Sequence, residues 1–232
     1  MTINFKKGLS TLQKEGIEKL VDSKLVESWN DQDRANWFYA TNGQSLPTKP
    51  RRTLFIDLGH STRFPGAHGF KTEVLWNRTI WKYLETKLDS FQWNLVVVPT
   101  VYSWDWTSNI NLIHRIRYIN RNCEDGDWVL SIHGNSAPSW VRGVTTVYMG
   151  GSQYMLNKSY LLSHEVSRAT DMPIWGGGAF DDRTARFRRV GMVRDTKPPA
   201  VLLEAGFVTN KLDMKIAPER VAEGIANFFN KL

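Results

Sequence analysis

Apolar residues along most of this chain fall into short continuous runs separated by stretches of helical spacing. TLFIDL (53–58), NLVVVPTV (94–101), DWVLSIH (127–133), GVTTVYMG (143–150) and PAVLLEAGF (199–207) each read as a strand. Their near-continuous apolar character is that of strands covered on both faces. Between them, EVLWNRTIWKYLETKL (73–88) repeats apolar residues at Val74, Leu75, Ile80, Trp81, Leu84 and Leu88, which is a helical stripe. NINLIHRIRYINRN (109–122), NKSYLLSHEVSRA (157–169) and APERVAEGIANFFNKL (217–232) add three more helices, and RRVGMVRD (188–195) suits a strand or an extended loop. The alternation predicts an α/β fold: a mixed, largely parallel twisted sheet flanked by helices.

Residues 1–50 break this pattern. STLQ at Ser10–Gln13 can form a capping box, Leu12, Ile17, Leu20 and Val21 give a helical face, and DQDRANWFYA suits a second short helix. NGQSLPTKP then reads as a turn-rich linker. The expected organisation is a small helical N-terminal segment and linker over 1–50, docked through Trp29, Trp37 and Phe38, and a main domain over 51–232. Such a short segment buries little core alone.

Composition narrows the class. The 232 residues carry a net charge of +7, and 41% are hydrophobic, enough for a substantial core. Residues 1–50 hold seven Lys/Arg against six Asp/Glu, so six of the seven excess positive charges belong to the main domain. A basic surface favours polyanions such as nucleic acid, acidic lipid or an anionic cell wall. No arginine-rich run or interleaved aromatic motif points to nucleic acid. The single cysteine, Cys123, allows no internal disulfide and reads as a buried free thiol, with no disulfide-linked partner expected. No apolar run is long enough to span a membrane, and the first twenty residues lack the apolar core of a signal peptide.

Three apolar runs end in chemically capable residues: FIDLGH at His60, VLSIH at His133 and AVLLE at Glu204. In open α/β sheets ligands bind beyond the carboxyl ends of strands. Glu73 opens a helix thirteen residues after His60. Catalytic zinc takes three nitrogen or oxygen ligands and leaves one position open, and His60, Glu73 and His133 would supply that set. A carboxylate outside the ligand set must then move a proton, a role that fits Glu204 ahead of the small residues of AGF. Taken singly, each histidine would be an ordinary polar residue; the ordered combination carries the reading. His114 and His164 lie inside helical patterns, and His68 lies in an exposed loop.

DLGH, FPGAHG, TEVLWN, SIHGNS, RGVTTVY and PPAVLLEAGFVTN follow one another in this order over roughly 52–230. In this the chain resembles the zinc-dependent N-acetylmuramoyl-L-alanine amidases of the amidase-3 type. The resemblance implies zinc bound by His60, Glu73 and His133, Glu204 as catalytic acid/base, and Asn135 orienting a ligand or the substrate. It implies hydrolysis of the amide joining the lactyl group of N-acetylmuramic acid to L-alanine in peptidoglycan. The chain departs from the pattern where it has GHST in place of the frequent GHGG, which makes the loop at Ser61 and Thr62 stiffer and more polar. YSWDWTSN has no counterpart in the pattern. Trp104, Trp106, Trp140 and Trp175 suit either packing or stacking on sugar rings, and WGGGAF (175–180) reads as a mobile loop near the site.

Rival readings are a zinc peptidase or carboxypeptidase acting on stem peptides, with an arginine among Arg183, Arg186, Arg188 and Arg189 for a free carboxylate, and a non-catalytic wall-binding module. The expectation from charge and the missing leader is a phage endolysin, made in the host cytoplasm and then released to the wall, or a virion-associated lysin. A sporulation enzyme acting from inside the mother cell is the remaining option.

Overall fold

The computed structural model describes residues 51–90, 92–100, 107–184 and 189–232. The expectations for residues 1–50, Trp104, Trp106, Arg186 and Arg188 lie outside the described residues.

Among the described residues, six strands form one sheet: β1 (Arg52–Leu58), β2 (Trp93–Val97), β3 (Trp128–Asn135), β4 (Val144–Tyr148), β5 (Ile174–Asp181) and β6 (Ala200–Phe207). Their order is β2-β1-β3-β6-β4-β5. Every pairing is parallel except β4 against β6. The mixed, largely parallel sheet read from the alternation is therefore the observed one. The helices are α1 (Glu73–Leu84), α2 (Ser108–Asn122), α3 (Gln153–Thr170), α4 (Gly191–Arg194), α5 (Lys211–Lys215) and α6 (Pro218–Phe229).

Side chains alternate across the strands, so the sheet divides the interior into two cores. Leu54, Ile56, Leu130, Ile132, Val201 and Leu203 face one side, beneath α1, α3 and α6. Phe55, Val129, Ala200 and Leu202 face the other and meet Ile116 and Ile119 of α2 and Met192 and Val193 of α4. A fully buried aliphatic side chain contributes roughly 1.5–3 kcal/mol. The continuous apolar runs thus arise because each strand feeds both cores.

Three local readings differ from the structure. The helix read over 73–88 ends at Leu84, and Leu88 caps the core from the turn beyond it. RRVGMVRD contains the one-turn helix α4, too short for its periodicity to show. WGGGAF lies within edge strand β5, not a mobile loop. Its register jumps from Val144↔Ile174 to Thr146↔Ala179, so residues 175–178 bulge from the ladder, with Gly176, Gly177 and Gly178 at positive φ. Gly178 is held in place by Thr146 Oγ1, which donates to its carbonyl at 3.0 Å.

Candidate active site

β1, β3 and β6 are neighbours in the middle of the sheet, and His60, Glu73 and His133 meet at their carboxyl edge, with Glu204 paired to His133. The chain leaves β1 toward β2 on one side and returns to β3 on the other. The edge between β1 and β3 is therefore a topological switch point, where open sheets form a crevice.

β1 ends at Leu58, and Gly59 and His60 turn the chain away from the sheet. His60 sits two residues beyond the strand, not at its last position, with φ at 68°. Few residues with a side chain adopt that left-handed conformation. The turn is held by Asn77 of α1, which donates from Nδ2 to the Gly59 carbonyl at 3.2 Å. Gly59 itself admits no side chain, since a Cβ would lie 2.3 Å from the His133 ring.

Glu73 is the first residue of α1, as its place after the FPGAHG loop suggested. That loop caps the helix: Glu73 N–H donates to the Ala67 carbonyl and Val74 N–H to the Pro65 carbonyl. Glu73 is buried and fully engaged. Its Oε2 accepts from Ala67 N–H at 2.8 Å, and its Oε1 lies 2.8 Å from His133 Nδ1, 3.2 Å from Gly134 N and 3.2 Å from His60 Nε2. Gly66, at φ 75°, lets the loop pass the carboxylate, because a Cβ there would lie 2.3 Å from Oε2.

The donor atoms of His60, Glu73 and His133 all lie within 4.8 Å of one another. A tetrahedral ion with bonds of ~2.0–2.1 Å holds its ligand atoms about 3.4 Å apart. Two imidazole nitrogens and one carboxylate oxygen at this spacing fit a zinc ion in both chemistry and scale. Electrostatics agree. Burial alone would raise the Glu73 carboxyl, but hydrogen bonds and charge from His133 and His60 outweigh it and hold it well below the usual range. Burial pushes His133 down, yet Glu73, Glu204 and Asp57 pull it up further. A cluster of this kind is built to receive a cation.

Glu204 lies inside β6, not at its end, and is directly paired in register with His133 on β3. Both side chains point to the α2 face by alternation. Glu204 Oε2 is buried without a hydrogen-bond partner. Burial, with added repulsion from Glu73 against the pull of His133, pushes its carboxyl up to about 7. Buried polar atoms are almost always satisfied. This one belongs to the residue paired with His133, whose charge and that of Glu73 both act on the carboxyl. Asn135 closes β3; its carbonyl accepts from Val208 N–H and its Oδ1 from Ser136 N–H, both at 2.8 Å. It ties the exits of β3 and β6 together.

Below the cluster sits a buried ionic network that apolar periodicity concealed. Asp57 of β1 pairs with Arg115 of α2 and accepts a hydrogen bond from Ser131, two residues before His133. Arg115 also donates from Nε to Asn111 Oδ1 at 3.1 Å. A charge inside an apolar strand run, DLGH, was the available signal. His68 is exposed and bridges to Thr72, and it is not one of the three clustered donors. Cys123 is a free thiol, partly exposed and not buried as expected. No described helix is long and apolar enough to cross a membrane.

Comparison with known proteins bears on the fold and the family. A family model described as N-acetylmuramoyl-L-alanine amidase matches residues 54–227. No curated protein shows a match to the chain. The fold is similar to that of the CwlD amidase from Clostridioides difficile, solved in complex with the GerS lipoprotein, with a TM-score of 0.67 and 23% identity over 78% of this chain and 98% of that one. The catalytic domain of the CD27L endolysin targeting Clostridia difficile gives 0.61 and 21% over 77% and 97%. The amidase AmiC2 of Nostoc punctiforme gives 0.60 and 20% over 78% and 96%.

Proposed function

We infer the reaction from one premise: this chain belongs to the family of N-acetylmuramoyl-L-alanine amidases, which hydrolyse an amide of peptidoglycan. The reading is zinc-dependent cleavage of the bond between the lactyl group of N-acetylmuramic acid and L-alanine. The convergence of His60, Glu73 and His133, with Glu204 paired in register to His133 and its Oε2 buried without a partner, carries it. His60, Glu73 and His133 would hold the zinc. When bound, the ion lowers the pKa of a water to about 7 and polarises a carbonyl.

Glu204 Oε2 takes the proton from the attacking water and returns it to the departing alanine nitrogen. A carboxyl near 7 is matched to both halves of that task. Asn135 contacts the substrate at the exit of β3. Phage-mediated lysis is part of the same proposal: synthesis in the host cytoplasm, or carriage on the virion, followed by action on the wall.

Product analysis tests the reading. Incubation with purified peptidoglycan is expected to release stem peptides with a free L-alanine amino terminus and to leave lactyl carboxylates on the glycan. Release of free amino acids from the stems, with the lactyl amide intact, would assign the site to a peptidase instead.

A further inference from the structure

Three exposed apolar side chains follow the site residues in sequence and stand on the same edge of the sheet. Phe70 lies between His60 and Glu73, Trp140 seven residues after His133, and Leu212 eight residues after Glu204. They are 59%, 80% and 53% exposed. By contrast Trp76, Trp93 and Trp128 are buried, and Trp175 packs against Phe180 and Phe207 with ring centroids 5.0 and 5.2 Å away.

The segments that carry these side chains are stitched to one another. Phe70 N–H donates to the Val208 carbonyl at 2.8 Å, and Gly69 approaches so closely that a Cβ would lie 2.3 Å from that oxygen. On the other side of the same turn, Thr209 Oγ1 donates to the Ala137 carbonyl at 2.7 Å, and Asn210 Nδ2 to the Ser139 carbonyl at 2.7 Å. The fully buried Asp213 carboxylate then accepts from Gly143 N–H at 2.8 Å and Arg142 Nε at 3.2 Å. Trp140 thus sits on a loop fixed on both flanks, with its ring left in solvent. An exposed indole on a backbone pinned at both flanks gains little for the fold. It is presented to a ligand at low cost in conformational entropy.

We propose that Trp140 and Phe70, bridged by the Val208–Asn210 turn, form a stacking platform for the glycan strand of peptidoglycan. The inference rests on the amidase reading, because the scissile amide is attached directly to a sugar and the strand must lie across this edge. A pyranose ring has an apolar C–H face and a hydroxyl rim. A flat aromatic face bordered by polar backbone matches it, whereas a stem peptide of small and charged residues offers no such face.

Peptide-free glycan strands are the probe, because they bind without being cleaved and so separate this claim from the catalytic one. Wild-type protein is expected to bind them, with the Trp140 indole N–H resonance shifting on titration. Trp140→Ala is expected to weaken binding roughly tenfold, the loss expected for one aromatic contact, and Trp140→Phe to restore most of it. Tyr160→Ala, an exposed aromatic on α3, serves as the control and is expected to bind as wild type. Unchanged affinity in Trp140→Ala, equal losses in Trp140→Ala and Tyr160→Ala, or no glycan binding by wild type would overturn the platform. So would capture by phosphatidylglycerol vesicles without glycan binding, which would assign the surface to a membrane. Glycan binding without hydrolysis of sacculi would leave the platform standing and remove the amidase reading. Hydrolysis without Trp140-dependent binding would do the reverse.

Discussion

Glu204 occupies a position that a strand would ordinarily give to an apolar residue. Its buried oxygen has no partner, and its carboxyl is pushed up to about 7 by burial and by Glu73. The consequence for the metal-free protein follows from linkage. The folded state favours the protonated acid, so this contribution is fully present below about pH 4.5 and is lost as pH rises toward 7. From the shift, the loss reaches up to about 3 kcal/mol. Denaturant unfolding of chelated wild type and Glu204→Gln between pH 4.5 and 8 measures it. The stability difference is expected to move in favour of the glutamine variant across that window, and a difference independent of pH would refute the burial argument. For the ligands, His133→Ala is expected to abolish stoichiometric zinc binding in metal analysis; full occupancy in that variant would break the assignment. The sequence made His60, His133 and Glu204 legible because each is a polar residue interrupting or ending an apolar run, and Glu73 because it opens a helix after the FPGAHG loop. It could not show the left-handed turn at His60 or the in-register pairing of His133 with Glu204, which depend on which strands become neighbours.

At the level of elements, β1, β3 and α2 are joined by the Asp57–Arg115–Ser131 network just below the point where both histidines emerge. Removing one partner of a buried ion pair strands the other charge, typically at a cost of about 3–5 kcal/mol. Arg115→Ala is therefore expected to lower unfolding free energy by that order in urea titration, and a change below about 1 kcal/mol would show that Asp57 finds relief elsewhere. Arg115 was hidden because it falls inside a helix rich in basic residues, where charge ordinarily marks a solvated face. β5 was missed for a different reason. Three consecutive glycines argue for a loop locally, and only pairing with β4 and the bonds to Gly178 make the segment a bulged strand. Long strands and helices were legible because both faces of the sheet are covered, which imposes apolar continuity on each strand.

At the scale of the whole molecule, charge and substrate belong together. The chain carries +7, and most of the excess lies in residues 51–232. Peptidoglycan stems and wall polymers carry carboxylates or phosphates. Attraction between exposed charges is screened over ~8 Å at physiological ionic strength and ~3 Å at 1 M salt. Binding to sacculi and their lysis are expected to fall steeply across a salt series, while hydrolysis of a small soluble muramoyl-peptide changes far less. Parallel loss on both substrates would place the salt effect on the fold or the site and not on long-range attraction. Net charge was readable from composition alone. Which of the candidate tryptophans stays exposed was not, because Trp140 and Trp175 read alike in sequence and only the folded loops leave Trp140 in solvent.

The central claim is that a zinc site and a separate proton-transferring carboxylate share one sheet edge. Glu204→Gln, assayed on purified peptidoglycan with its metal content determined on the same sample, tests it most directly. The variant is expected to keep one zinc per chain and the wild-type fold while amide cleavage falls by ~10²–10⁴-fold. Cleavage at the wild-type rate by a zinc-loaded Glu204→Gln protein would contradict the account.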